Sequence, residues 1–185
     1  MISTGISVAT EQALRNLSVF LLDASSGHLD PRSAVIFSST VAEAYVDQAL
    51  TELATSSVAV GSAFGSAMLD RHSDGMHGSW PSRVEWLRAG FAITLGDLSE
   101  YNNLTVLIEL RNAIVHGPDQ LTERQVRSVS DVMTLRHRLE SLVNVSTQGR
   151  SLHYSPLTPA AAILLARKFV ITLDPLVQAA LKKAH

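Results

Sequence analysis

Apolar residues recur at three- and four-residue steps through most of this chain, the spacing of amphipathic helices. Residues 8–22 carry Ala13, Leu14, Leu17, Phe20 and Leu21 on one face, with Ser7 or Thr10 as the cap. After the turn at Ser25-Ser26-Gly27-His28, Asp30-Pro31 reads as an N-cap followed by proline at the first helical position, where its missing N–H is harmless. A second helix over 31–53 buries Phe37, Val41, Ala44, Tyr45, Ala49 and Leu53. Residues 56–78, with Gly61 and Gly65 among small side chains, read as a loop or a frayed helix in preference to a close-packed short helix, and end in a surface loop around His72 and His77. Ser82 and Glu85 have capping-box spacing and open a third helix through Val84, Leu87, Phe91 and Leu95, stopped by Gly96, with Trp86 beside its stripe.

Asp97 or Ser99 opens a fourth helix, whose apolar positions are Leu104, Leu107 or Ile108, Leu110, Ile114 and Val115. Gly117-Pro118 ends it, because proline disfavours helical backbone in the residue before it. Thr122 and Gln125 cap a fifth helix to about residue 143 with a stripe of Val126, Val129, Met133, Leu139 and Leu142. A polar connection over 144–158 leads to a sixth helix over 159–173, and Asp174-Pro175 implies a kink or a further helix start. No stretch alternates like a strand, and no pair of strand-like runs flanks a Gly-Asn or Gly-Asp turn. The expected fold is all-α, an antiparallel bundle with additional N- and C-terminal helices: one domain, core about 31–143, and a C-terminal helical extension about 159–183.

Composition narrows the function. The 185 residues are 46% hydrophobic, enough to bury a core, and contain no cysteine, which excludes disulfides, zinc ribbons and thiol catalysis. That cysteine usage agrees with a reducing cytoplasm, the expected location. A net charge of −2 gives no global case for nucleic-acid binding, so any such contact rests on a local patch. No signal peptide is legible, and the most apolar run, 160–173, is interrupted by Arg167 and Lys168 and is shorter than the roughly 20 residues a membrane span needs, so no membrane association is expected.

The candidate chemistry sits in Leu110-Arg111-Asn112-Ala113-Ile114-Val115-His116-Gly117-Pro118, where an arginine, an amide and an imidazole interrupt an apolar pattern just before a helix stop. Asn112 and His116 are four apart and share a helix face, whereas Arg111 lies about 140° from His116 at roughly 100° per residue. Bringing both to one point requires a distorted last turn, an arginine that curls round, or a second chain. The competing reading pairs Arg111 with Glu109 or Glu43 and leaves His116 to cap the helix.

Leu-Arg-Asn-Ala-Ile-Val-His-Gly resembles the Arg-polar-x-x-x-His signature of the HEPN superfamily, helical domains named for higher eukaryotes and prokaryotes nucleotide-binding. The resemblance covers about residues 31–143 and implies an all-α bundle acting as a metal-independent RNA endonuclease of toxin or phage-defence type. It also implies a homodimer with a composite site, a neutralising antitoxin, and no cofactor or metal. Carried over, His116 is the general acid/base, Arg111 the phosphate binder, Asn112 the residue that orients them, and Glu43 a supporting acid. RNA supplies its own nucleophile in the 2′-hydroxyl; imidazole, which ordinarily titrates near about 6.5, can move that proton, and guanidinium suits charge developing on phosphorus. The alternative is a HEPN-like module that binds nucleotide, RNA or protein without cutting. One departure is Pro118, which stands where one toxin group carries a modifiable tyrosine, so a nucleotidyltransferase partner is not implied.

The remaining polar clusters are weighed between chemistry and a solvated surface. Arg124 and Arg127, with Arg136 and Arg138 beyond them, either guide an RNA backbone or are solvated and balanced by Glu123, Asp131 and Glu140. Glu43 and Asp47 share a face and do acid/base work, bind a metal, or simply face water. Asp70, His72, Asp74 and His77 are close in sequence but match no metal-ligand spacing.

Overall fold

A computed structural model describes residues 6–56 and 61–184. The fold is all-α: seven helices, α1 (Val8–Ser25), α2 (Pro31–Ser56), α3 (Ala63–His77), α4 (Trp80–Phe91), α5 (Ser99–His116), α6 (Val129–Val143) and α7 (Thr158–Ala184), joined by short 3-10 turns at Leu95–Asp97 and Arg124–Val126. Among the described residues one hairpin, β1 (Val145–Gln148) and β2 (Ser151–Tyr154), is inserted before α7.

Local chemistry explains most helix boundaries. The Ser7 hydroxyl accepts from the Thr10 N–H at 3.1 Å, and the Asp30 carboxylate accepts from the Ser33 N–H at 2.8 Å ahead of Pro31. The helix α4 starts earlier than its Ser82-Glu85 pattern implied: Ser79 is the cap, accepting from the Ser82 N–H at 3.2 Å, with Pro81 in the first turn. It also ends earlier, at Phe91, because Ala92 turns into left-handed backbone at φ 54° and leaves Leu95 to the 3-10 turn.

Several expectations are overturned. Of the stretch 56–78, residues 57–60 lie outside the described residues, and the surface loop expected around His72 and His77 is instead α3, capped by Ser62 on the Gly65 N–H at 3.0 Å and packed against α4 and α2, with Met76 buried. The Thr122–Gln125 box caps only a 3-10 turn; Ser128 starts α6 afresh. Val129 and Met133, expected inside, are 82% and 60% exposed, while Leu139 and Val143 carry the packing of α6. The polar connection 144–158 contains the hairpin, in register Val145↔Tyr154 to Gln148↔Ser151, with Gly149 at φ 59° in its two-residue loop. Finally, α7 runs unbroken through Pro175. The Asp174 carboxylate, instead of starting a helix, accepts from the Ser7 N–H at 3.4 Å and helps close the start of α1.

The C-terminal helix lies at the centre of the packing. Phe169, Val170, Leu173, Ile163 and Ala166 of α7 are fully buried, and α7 packs against α1, α2, α5 and α6. Segment 31–143 and the C-terminal helix therefore share one apolar core. Arg167, which interrupts the apolar run, donates to the Ser18 hydroxyl at 2.6 Å on α1. No helix among the described residues is long and apolar enough to cross a membrane.

Candidate functional site

One cavity of about 740 Å³ opens between α2, the start of α4, the length of α5 and the segment that follows α5. Glu43, Arg111, Asn112, His116 and Arg124 all line it. So do Trp80, Tyr101, Thr105 and Ile108, which the motif alone did not single out.

The periodicity of α5 accounts for this grouping. Tyr101, Thr105, Ile108, Asn112 and His116 step by four, three, four and four, so they form one stripe along a single helix face. Leu104, Leu107, Leu110 and Ala113 form the buried stripe on another face. Stepping back from His116 at helical spacing would have found Tyr101. Trp80 comes from a different element, and nothing in the sequence connected it to the motif.

Arg111 stands off this stripe by one residue, yet it lines the same cavity. Its guanidinium reaches sideways, with Nη1 3.5 Å from the Asn112 side-chain oxygen. The helix runs regularly to His116, so no distorted turn accounts for the shared lining. Arg111, Asn112 and His116 of one chain thus line one cavity.

The acids expected to neutralise Arg111 are engaged elsewhere. Glu109 accepts from Arg124 at 2.8 Å and from the Gln125 amide at 2.6 Å. Glu43 lies 2.9 Å from the Arg83 guanidinium, a charge contact more than an aligned hydrogen bond. Arg83 is 4% exposed and also donates to both Asp47 oxygens, at 2.7 and 2.8 Å. The pairing of Arg111 with Glu109 or Glu43 is therefore absent, and among the described residues Arg111 makes no ion pair. Arg111 is thus the guanidinium lining the cavity with no acid in contact among the described residues, and an anion complements it.

The Arg83 network anchors the cavity wall. Asp47 takes a third hydrogen bond, 2.8 Å, from His77 on α3. Burial alone would raise the Asp47 pKa, but the hydrogen bonds from Arg83 and His77 and the charge of Arg83 outweigh it and hold the carboxyl below its ordinary range. His77 is thereby a structural partner on a helix, and His72 is exposed on the same helix. Among the described residues no three His, Asp or Glu side chains form a group able to hold a metal ion.

The end of α5 is fixed tightly. A Cβ on Gly117 would lie 2.0 Å from the Gln120 carbonyl oxygen and 2.8 Å from that of Ala113, so only glycine fits one residue after His116. The Gln120 N–H then returns to the Gly117 carbonyl at 2.9 Å. Asp119 clasps this turn to two distant elements: it accepts from Arg32 at the start of α2 and from the Tyr154 hydroxyl on β2, both at 2.7 Å. Its backbone carbonyl accepts from the Leu152 N–H at 2.9 Å. Arg32 also sits over the Tyr154 ring, 5.4 Å from its centroid. Burial, then the hydrogen bond to Asp119, pushes the Tyr154 phenol far above its usual range, so it stays a proton donor.

Of the other cationic candidates, Arg127 is exposed and does not line the cavity. Arg136 donates to the Gly149 carbonyl, and Arg138 to the Asn102 carbonyl and, at 3.3 Å, the Thr105 hydroxyl. Both arginines tie elements together. Compared with known protein families, curated proteins and solved structures, the chain matches none.

Proposed function

We propose that this protein is a metal-independent RNA endonuclease acting through His116 and Arg111, in a toxin or phage-defence role. The observation that carries the reading is the cavity that gathers Arg111, Asn112 and His116, with Arg111 uncompensated by any acid. His116 is exposed, and no hydrogen bond to its ring is present among the described residues, so the imidazole is free to exchange a proton with a ligand.

In the reaction, the RNA 2′-oxygen attacks the adjacent phosphorus while its proton passes to a base. The bond from phosphorus to the 5′-oxygen breaks, and that oxygen takes up a proton. The products are a 2′,3′-cyclic phosphate and a 5′-hydroxyl. The His116 imidazole serves proton transfer, Arg111 holds the phosphoryl oxygens as negative charge grows on them, and Asn112 steadies the guanidinium. Glu43, already engaged by Arg83, supports the wall and does not compete for Arg111. Arg124, paired with Glu109, offers a second cation beside the phosphate path. The homodimer with a composite site and the antitoxin implied by the HEPN resemblance are part of the proposal.

The test is cleavage of RNA in chelator. Wild-type protein is expected to release fragments with cyclic-phosphate ends. His116→Ala and Arg111→Ala should lower the rate at least about 100-fold while the helical fold is kept. Intact RNA at all protein concentrations would remove the nuclease assignment.

A further inference from the structure

The polar end of the cavity is only part of its wall. Trp80 and Tyr101 line the same space, with ring centroids 6.1 Å apart. Both are braced from behind: Phe169 on α7 lies 6.3 Å from Trp80 and 6.2 Å from Tyr101, and the Arg83 guanidinium sits 5.8 Å from the Trp80 centroid. Arg83 is itself locked to Asp47 and Glu43. An aromatic pair immobilised in this way, in a cavity shared with an unpaired arginine, is a preformed surface for a flat, aromatic, anionic ligand.

We propose that Trp80 and Tyr101 form a base-stacking subsite that restricts the enzyme to unpaired RNA; this rests on the nuclease reading above. A base can lie against these rings only after leaving its own stack, which single strands allow and duplexes resist. Helical rise separates Tyr101 from His116 by roughly 22 Å at about 1.5 Å per residue. That exceeds the reach of one nucleotide. The stacked base therefore belongs to a neighbour further along the strand, while the cleaved phosphate sits at Arg111 and His116. The subsite fixes which phosphate is presented, by holding the strand at a second point.

The experiment uses the full chain carrying His116→Ala, so that the strand stays whole, and Trp86→Phe, so that Trp80 is the sole tryptophan. A short unpaired RNA of mixed sequence is titrated in, and then its duplex. The unpaired strand is expected to quench the Trp80 emission and the duplex to leave it unchanged. Trp80→Leu and Tyr101→Leu should each weaken binding, read by anisotropy of a labelled strand, by roughly ten-fold or more. Trp80→Phe, which keeps a ring and the packing on Phe169, should restore most of it. Binding that is indifferent to Trp80 and Tyr101 overturns the subsite and leaves any His116-dependent cleavage standing. Quenching with no cleavage by the wild-type chain supports the subsite and overturns the nuclease reading. No binding of the unpaired strand overturns the subsite.

Discussion

Gly117 is where a single methyl group would be felt most directly at the site. The space for its Cβ is occupied by two backbone carbonyls, which cannot swing aside as a flexible side chain can. Gly117→Ala is expected to destabilise the fold by about 2 kcal/mol or more, read as a lower midpoint in urea, and to lower cleavage further by shifting His116. Asp47 carries a different prediction. Its carboxyl is more acidic in the folded chain than in the unfolded one, so it contributes stability above its unfolded pKa, about 4, and loses that contribution as pH falls through the folded value. Asp47→Asn should therefore cost about 1–3 kcal/mol at neutral pH, where buried Arg83 keeps Glu43 but loses the carboxylate it is hydrogen-bonded to. The gap between the two proteins should begin to shrink below about pH 4 and close as pH falls through the lower folded value. An equal gap at pH 7 and pH 3 would show that Asp47 acts by shape alone. Residues of this kind were only half legible in the sequence. The motif identified Arg111, Asn112 and His116, but Arg83 and Asp47 are 36 positions apart and only folding makes them a pair.

At the scale of elements, helix periodicity located most of the bundle because a buried stripe must repeat every three or four residues to face one core. It failed where other forces set the element. In α3 the apolar stripe is weak, and the capping by Ser62 and the tie from His77 to Asp47 supply what the stripe does not. In α6 Val129 and Met133 fit the period but face outward, since only the later part of the helix reaches the core. The hairpin strands have four residues each, too short to display alternation, and their turn is Gly-Arg. That hairpin matters to the site because Tyr154 reaches from it to Asp119. Tyr154→Phe removes this one hydrogen bond and keeps the ring under Arg32. The expected loss is about 1 kcal/mol of stability, with faster amide exchange over 117–121 as the sign that the clasp behind His116 has loosened.

For the whole molecule, a net charge of −2 gives no general attraction for nucleic acid. Glu109 is engaged by Arg124, and Glu43 by Arg83, which Asp47 shares, while Arg111 makes no ion pair among the described residues and is the guanidinium left to meet an anion. Arg111 and His116 line the cavity from the same helix of one chain, while the proposed composite site draws on two, and mixing Arg111→Ala with His116→Ala protein tells the two apart: a site completed within one chain recovers no cleavage. Recovery on mixing, in samples whose solution mass shows a dimer, would mean that the site is shared between chains.

The clasp around Asp119 joins positions 87 and 35 residues apart in the chain. On the ribosome, the motif helix is finished well before β2 exists, and α7, which backs Trp80 and Tyr101 through Phe169, is made later still. At synthesis rates of roughly 5–20 residues per second, the polypeptide spends several seconds with its motif side chains already translated but their enclosure unbuilt. The order of elements along the chain thus makes the motif first and the wall of its cavity afterwards.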